Sequence, residues 1–156
     1  MNPGSQTTPP PRRKFLPHGT PPWVGNEATF FITICTAPRG KNQLCHQHIA
    51  DHLFETVRFR QTRQAWFVHL LLLMPDHLHG LLSFPRDIAM RKIISNWKEI
   101  AAKKTGLRWQ RDFFDHRLRN DENYLEKANY IRMNPVRAGL VAEAAAWPYV
   151  WEPSSR

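Results

Sequence analysis

The sequence predicts an α+β fold in which helices pack on one face of a mainly antiparallel sheet. Three observations carry this. Short runs rich in β-branched and aromatic residues alternate with longer runs of helical period. Two apolar runs, 66–74 and 77–84, are separated only by Pro75-Asp76, so short a link that it implies an antiparallel hairpin. The element order is strand, helix, strand, strand, helix, short strand, helix, with no internal repeat.

Residues 29–36 (Thr-Phe-Phe-Ile-Thr-Ile-Cys-Thr) form the first strand, apolar on both faces and therefore central, and end at Ala37-Pro38-Arg39-Gly40. Residues 47–63 place Ile49, Leu53 and Val57 at helical spacing with Phe54 beside them. The hairpin follows. Residues 88–104 hold Ile88, Ile93, Ile94, Trp97, Ile100 and Ala101, a second amphipathic helix whose outer face carries Lys92, Lys98, Lys103 and Lys104. Residues 107–118 are aromatic and basic and read as a short strand plus loop. Asn120 or Asp121 then caps a last helix, with Asp121 and Glu122 suiting its positive N-terminal end. That helix runs to about residue 133, because Pro135 disfavours the α region for the residue before it. The remainder, through Trp147-Pro148-Tyr149, reads as a packing tail.

Composition narrows the function classes. A chain of 156 residues is long enough for one domain with a real core. We expect that domain over 23–156, preceded by a flexible basic arm over 1–22 that holds seven of the thirteen prolines and Arg12-Arg13-Lys14. The longest fully apolar run, 70–74, is too short to span a membrane, and the N-terminus shows no signal-peptide pattern. Cys35 and Cys45 are too few and too irregularly spaced for a disulfide framework. A cytoplasmic, nucleoid-associated protein is expected. Lys and Arg number 22 against 13 Asp and Glu, a net charge of +9. Residues 86–119 alone hold ten Lys/Arg and four Asp/Glu. Such a surface attracts polyanions, nucleic acid above all.

The chemistry centres on Met74-Pro75-Asp76-His77-Leu78-His79-Gly80. Residues i and i+2 of a strand share a face, so both imidazoles project together and form half of a divalent-metal site. On the last helix, Asn134 follows Tyr130 by four residues and shares its face. Over the two histidines, Asn134 would add a third ligand and Tyr130 a nucleophile toward a phosphodiester. Tyr124 is the competing tyrosine, six residues earlier and on a different helical face.

Three blocks then carry a family resemblance. Met74-Pro75-Asp76-His77-Leu78-His79, the run Trp109-Gln110-Arg111-Asp112-Phe113-Phe114-Asp115-His116-Arg117-Leu118-Arg119, and Asn129-Tyr130-Ile131-Arg132-Met133-Asn134-Pro135-Val136-Arg137-Ala138-Gly139-Leu140 closely resemble the REP-associated tyrosine transposases. These are single-tyrosine relatives of the HUH (His-hydrophobic-His) transposases. Phe30-Phe31-Ile32-Thr33 and Trp147-Pro148-Tyr149 also match, so the resemblance covers about residues 17–151.

The resemblance implies a ferredoxin-like HUH endonuclease fold. It implies cleavage and rejoining of single-stranded DNA through a 5′-phosphotyrosine link, with Mg²⁺ or Mn²⁺ as cofactor. Tyr130 takes the nucleophile position and His77 and His79 the metal positions. Asn134 stands where related transposases place a polar ligand, often glutamine. The implied partner is palindromic, hairpin-forming repeat DNA, bound by a monomer, with a homodimer as the alternative. Arg108, Arg111, Arg117, Arg119 and Arg137 are candidate phosphate or base contacts, Trp109 and Phe113 candidate stacking residues, and His116 a candidate DNA contact. The alternatives are a non-catalytic DNA-hairpin-binding protein of the same fold, and a metal-dependent hydrolase that uses water in place of tyrosine.

Overall fold

The computed structural model describes residues 20–119 and 121–154. The expected arm up to residue 19 and the capping candidate Asn120 lie outside the described residues, as do the side chains of Asp121 and Glu122.

A short 3₁₀ turn, Pro22–Asn26, leads into strand β1 (Phe30–Cys35). Helix α1 (Gln47–Thr62), the hairpin strands β2 (Phe67–Leu73) and β3 (His77–Ser83), and helix α2 (Met90–Thr105) follow. Strand β4 (Phe114–Arg117), helix α3 (Asp121–Arg137), a 3₁₀ turn at Ala144–Ala146 and strand β5 (Val150–Trp151) complete the chain. The sheet order is β4-β1-β3-β2-β5, with every neighbouring pair antiparallel. β1 and β3 are thus interior strands, and β4 is one free edge.

The helices do not share one face, as the element order had suggested. Ile49, Leu53 and Val57 of α1 and Ile93, Ile94 and Trp97 of α2 pack with Ile32, Ile34, Leu78 and Leu82 on one side of the sheet. Ala128 and Ile131 of α3 pack with Phe31, Leu70, Leu72, Met74 and Leu81 on the other. The physical reason is in the strands. β1, β2 and β3 are apolar on both faces, and each fully buried aliphatic side chain gains about 1.5–3 kcal/mol over exposure, so both faces must be covered.

Two further expectations are corrected. α3 does not stop before Pro135 but runs through it to Arg137. The proline removes one donor near the helix end, and the helix then closes in a Schellman arrangement. There Gly139, at φ +74°, donates to the Val136 carbonyl and Leu140 N–H to the Pro135 carbonyl. Lys98 is not on the outer face of α2. It is buried, with Nζ 2.8 Å from the Gln110 carbonyl and 3.2 Å from that of Arg111. The tail also contributes β5, paired with β2 through Leu71↔Trp151 and Leu72↔Val150.

The β2–β3 turn is fixed from outside. The Pro75 carbonyl accepts from the N–H groups of Gln43 and Leu44, and the Asp76 carbonyl accepts from Thr36 N–H and Thr36 Oγ1. The start of β3, which bears the histidines, is thereby tied to the loop after β1.

Candidate active site

Strand alternation sends Leu78 and Leu82 toward α1 and α2, and His77, His79 and Leu81 toward α3. The two imidazoles lie 4.8 Å apart, centroid to centroid. His79 is buried and stacks on Phe31 at 5.4 Å.

Each ring is held through Nδ1. His77 Nδ1 lies 2.7 Å from Asp76 Oδ1. His79 Nδ1 lies 2.8 Å from Oγ1 of Thr33, its direct partner across β1. Asp76 is itself anchored, its Oδ2 accepting from Gly40 N–H at 2.8 Å and Arg39 Nε at 2.9 Å. Burial alone would raise the Asp76 carboxyl, but the hydrogen bonds from His77, Gly40 and Arg39 outweigh it and hold the group well below the usual carboxylate range. An ionised Asp76 can only accept, so His77 donates to it from Nδ1–H and leaves Nε2 for another partner. The Thr33 hydroxyl can accept from His79 in the same way. Burial, then the positive charges of His77, Arg137 and Arg39, push His79 down to about 3. His79 is therefore a neutral imidazole near pH 7.

This donor set fits a divalent cation. Two imidazoles lie side by side, each oriented through Nδ1, and neither Nε2 has a hydrogen-bond partner among the described residues. Nδ1–H bonds to an oxygen are the support that metal-binding histidines ordinarily have. Among the described residues no group of three or more His, Cys, Asp or Glu could hold a metal ion. A third protein ligand would have to be a different oxygen donor, such as the side-chain amide of half-buried Asn134.

Helix α3 supplies the opposite wall. Ala128 and Ile131 face the core, and the adjoining stripe of the helix carries Lys127, Tyr130, Asn134 and Arg137 at i, i+3, i+7 and i+10. The Tyr130 ring lies 6.1 Å from His79 and 6.1 Å from Phe31, and is 45% exposed. Lys127 Nζ sits 5.2 Å from the Phe31 ring and 5.7 Å from the Tyr130 ring. The Arg137 guanidinium lies 4.3 Å from the Tyr130 ring and donates to the Tyr130 carbonyl. Arg137 reaches this position because the helix continues past Pro135. Neither cation is in an ion pair among the described residues, so two free positive charges flank an exposed phenol.

Tyr124 is placed differently. It is half-buried against His69 at 5.6 Å, over the irregularity in β2 between Val68 and Leu70. Burial raises its phenol.

The other candidate residues scatter. Arg108, Arg111, Arg117 and Arg119 are exposed. His116 is exposed on the edge strand β4, opposite Phe31. Trp109 and Phe113 pack at the margin of the core beneath α1 and α2, on the face away from the histidines. The Trp109 indole N–H donates to the Lys98 carbonyl, and its ring lies 6.0 Å from Trp97. The sequence reading passed over Thr33, Arg39, Asp76 and Lys127. Asp76 adjoins His77 and Lys127 lies three residues before Tyr130, so spacing alone could have found both. Thr33 and Arg39 required the register and the loop. Among the described residues no helix is long and apolar enough to cross a membrane.

The comparisons agree with this fold. Residues 29–130 match the sequence pattern of the family described as "Transposase IS200 like". A REP-associated tyrosine transposase of Escherichia coli K12 is 31% identical over 129 residues, spanning 78% of this chain and 74% of that protein. Among solved structures, a REP-associated tyrosine transposase bound to a REP hairpin superposes with a TM-score of 0.69 at 25% identity, covering 79% of this chain and 75% of that one. A candidate transposase of Deinococcus radiodurans superposes with a TM-score of 0.50 at 17% identity, covering 67% of this chain and 88% of that one, a likeness of fold alone.

Proposed function

Given that the chain belongs to the IS200-like transposase family, with REP-associated tyrosine transposases as its relatives, we propose that it nicks and rejoins single-stranded DNA carrying hairpin-forming repeats, with Tyr130 as nucleophile. The observation that carries the reading is the meeting of an exposed phenol with two imidazoles on one sheet face, 6.1 Å from Tyr130 to His79.

His77, His79 and the Asn134 amide would hold Mg²⁺ or Mn²⁺. When bound there, the ion would supply Lewis-acid polarisation of the scissile phosphodiester. The remaining steps belong to the chain. Lys127 and Arg137 draw the phosphate to the Tyr130 face and offset its charge. Tyr130 Oη attacks phosphorus as its proton leaves to solvent. The P–O3′ bond breaks, the 3′ oxygen takes up a proton, and the 5′ phosphate remains on tyrosine. Attack by a 3′-hydroxyl reverses these steps and joins the strand. Because the tyrosine and histidines meet within one chain, a monomer can carry out both steps in cis. Hairpin DNA as the target is supported by the hairpin-bound relative and by the net charge of +9.

Incubation with Mn²⁺ and labelled single-stranded hairpin DNA should yield a protein–DNA adduct that survives denaturation. Binding without any adduct, across a series of hairpin substrates, would leave a DNA-binding protein and not an enzyme. Cut DNA with no adduct would point to hydrolysis by water.

A further inference from the structure

Phe114 stands apart from the neighbouring aromatics. Phe113 packs against the core under α2, whereas Phe114 is 58% exposed. Its strand β4 is an edge of the sheet, and all four β4 residues are exposed. A single exposed ring is ordinary on a protein surface. This one is distinguished by its register.

Phe114 lies directly across from Thr33, and Thr33 directly across from His79. All three therefore share the face that bears the candidate site. At two strand spacings, the Phe114 backbone is about 10 Å from that of His79. The Phe114 ring makes a T-shaped contact with Phe31 at 6.3 Å, and Phe31 lies in turn 6.1 Å from Tyr130. One such contact leaves most of the Phe114 ring open to solvent. The buried Phe31 thus connects an open aromatic surface to the nucleophile, with Lys127 on the same ring.

We propose that Phe114 is the platform on which an unpaired base beside the scissile phosphate stacks. The proposal rests on single-stranded DNA being the substrate. A cation at the phosphate and an aromatic under the next base is the usual division of labour on single strands, and stacking tolerates any base. The stacked base would fix the strand so that its phosphate lies between Tyr130 and the histidines. Charge favours this occupant, since Lys127 and Arg137 border the same face and await an anion.

The test places the fluorescent base 2-aminopurine at successive positions in the single-stranded segment beside the hairpin, with the full-length protein in EDTA so that no cleavage occurs. Quenching is expected at one position. Phe114→Ala should abolish it and weaken binding about tenfold, and Phe114→Trp should restore both. The salt dependence of affinity should be unchanged, because no phosphate contact is lost. Unchanged quenching and affinity in Phe114→Ala would overturn the proposal. So would a change in oligomeric state with DNA binding intact, which would make the ring a contact between copies along the β4 edge. The readout needs no strand cleavage. Loss of quenching in a protein that forms no adduct refutes the enzyme reading alone, and an adduct with Phe114→Ala indistinguishable from wild type refutes the platform alone.

Discussion

The Tyr130 ring faces the His79 imidazole across 6.1 Å, at an angle of 66°. The two residues come from opposite layers, a helix and the sheet it covers. Their meeting depends on Ala128 and Ile131 seating α3 against Phe31 and Leu81.

The tyrosines should separate functionally on this basis. Tyr130→Phe should lower DNA cleavage about 10³-fold or more, with thermal stability nearly unchanged because the residue is 45% exposed. Tyr124→Phe should leave cleavage within a few-fold of wild type, since that ring packs on His69. Cleavage rates and melting curves of both variants check this.

Asp76 should act through His77. Removing its carboxylate in Asp76→Ala frees the ring that it holds at 2.7 Å. Loss of such a supporting contact typically costs 10- to 100-fold in metal affinity. Calorimetric titration with Mn²⁺ should show about that loss, and binding as tight as wild type would remove Asp76 from the site.

Lys127 and Arg137 should report as phosphate contacts. Lys127→Ala and Arg137→Ala should each reduce the slope of log K against log salt by about 0.7, the value for one counterion released from a single strand. Affinity should fall for every sequence alike. Filter binding over a salt series measures both effects.

Gly80, between His79 and Leu81, should tolerate no side chain without cost. A Cβ there would lie 2.6 Å from Leu82 Cδ1 and 3.2 Å from Leu71 Cδ1, both in the core. Gly80→Ala should destabilise the fold by about 1–3 kcal/mol. A urea midpoint shifted down at constant m-value would show it.

Much of this architecture is legible in the residues. Period and turn chemistry alone place α1, α2, the hairpin and β1 within a residue or two of where they lie. The His77/His79 pair follows from strand alternation, and the stripe bearing Tyr130 and Asn134 from helical spacing. What escapes local reading is set by tertiary contact. β5 is two residues long and exists because β2 offers it an edge. Pro135 signals a stop that the closure at Gly139 and the burial of the proline override. Lys98 looks like a surface cation until two carbonyls of the following loop meet it. Phe113 and Phe114 are indistinguishable as a pair of letters. The register with Thr33 decides which one faces the site.

The central claim is that Tyr130 carries the DNA. Trypsin digestion separates the candidates, because Tyr130 falls in the peptide 128–132 and Tyr124 in the peptide 120–127. Mass spectrometry of the digested, nuclease-trimmed adduct should find a phosphonucleotide on the 128–132 peptide. The same mass increment on the 120–127 peptide, or cleaved DNA with neither peptide modified, would contradict the account.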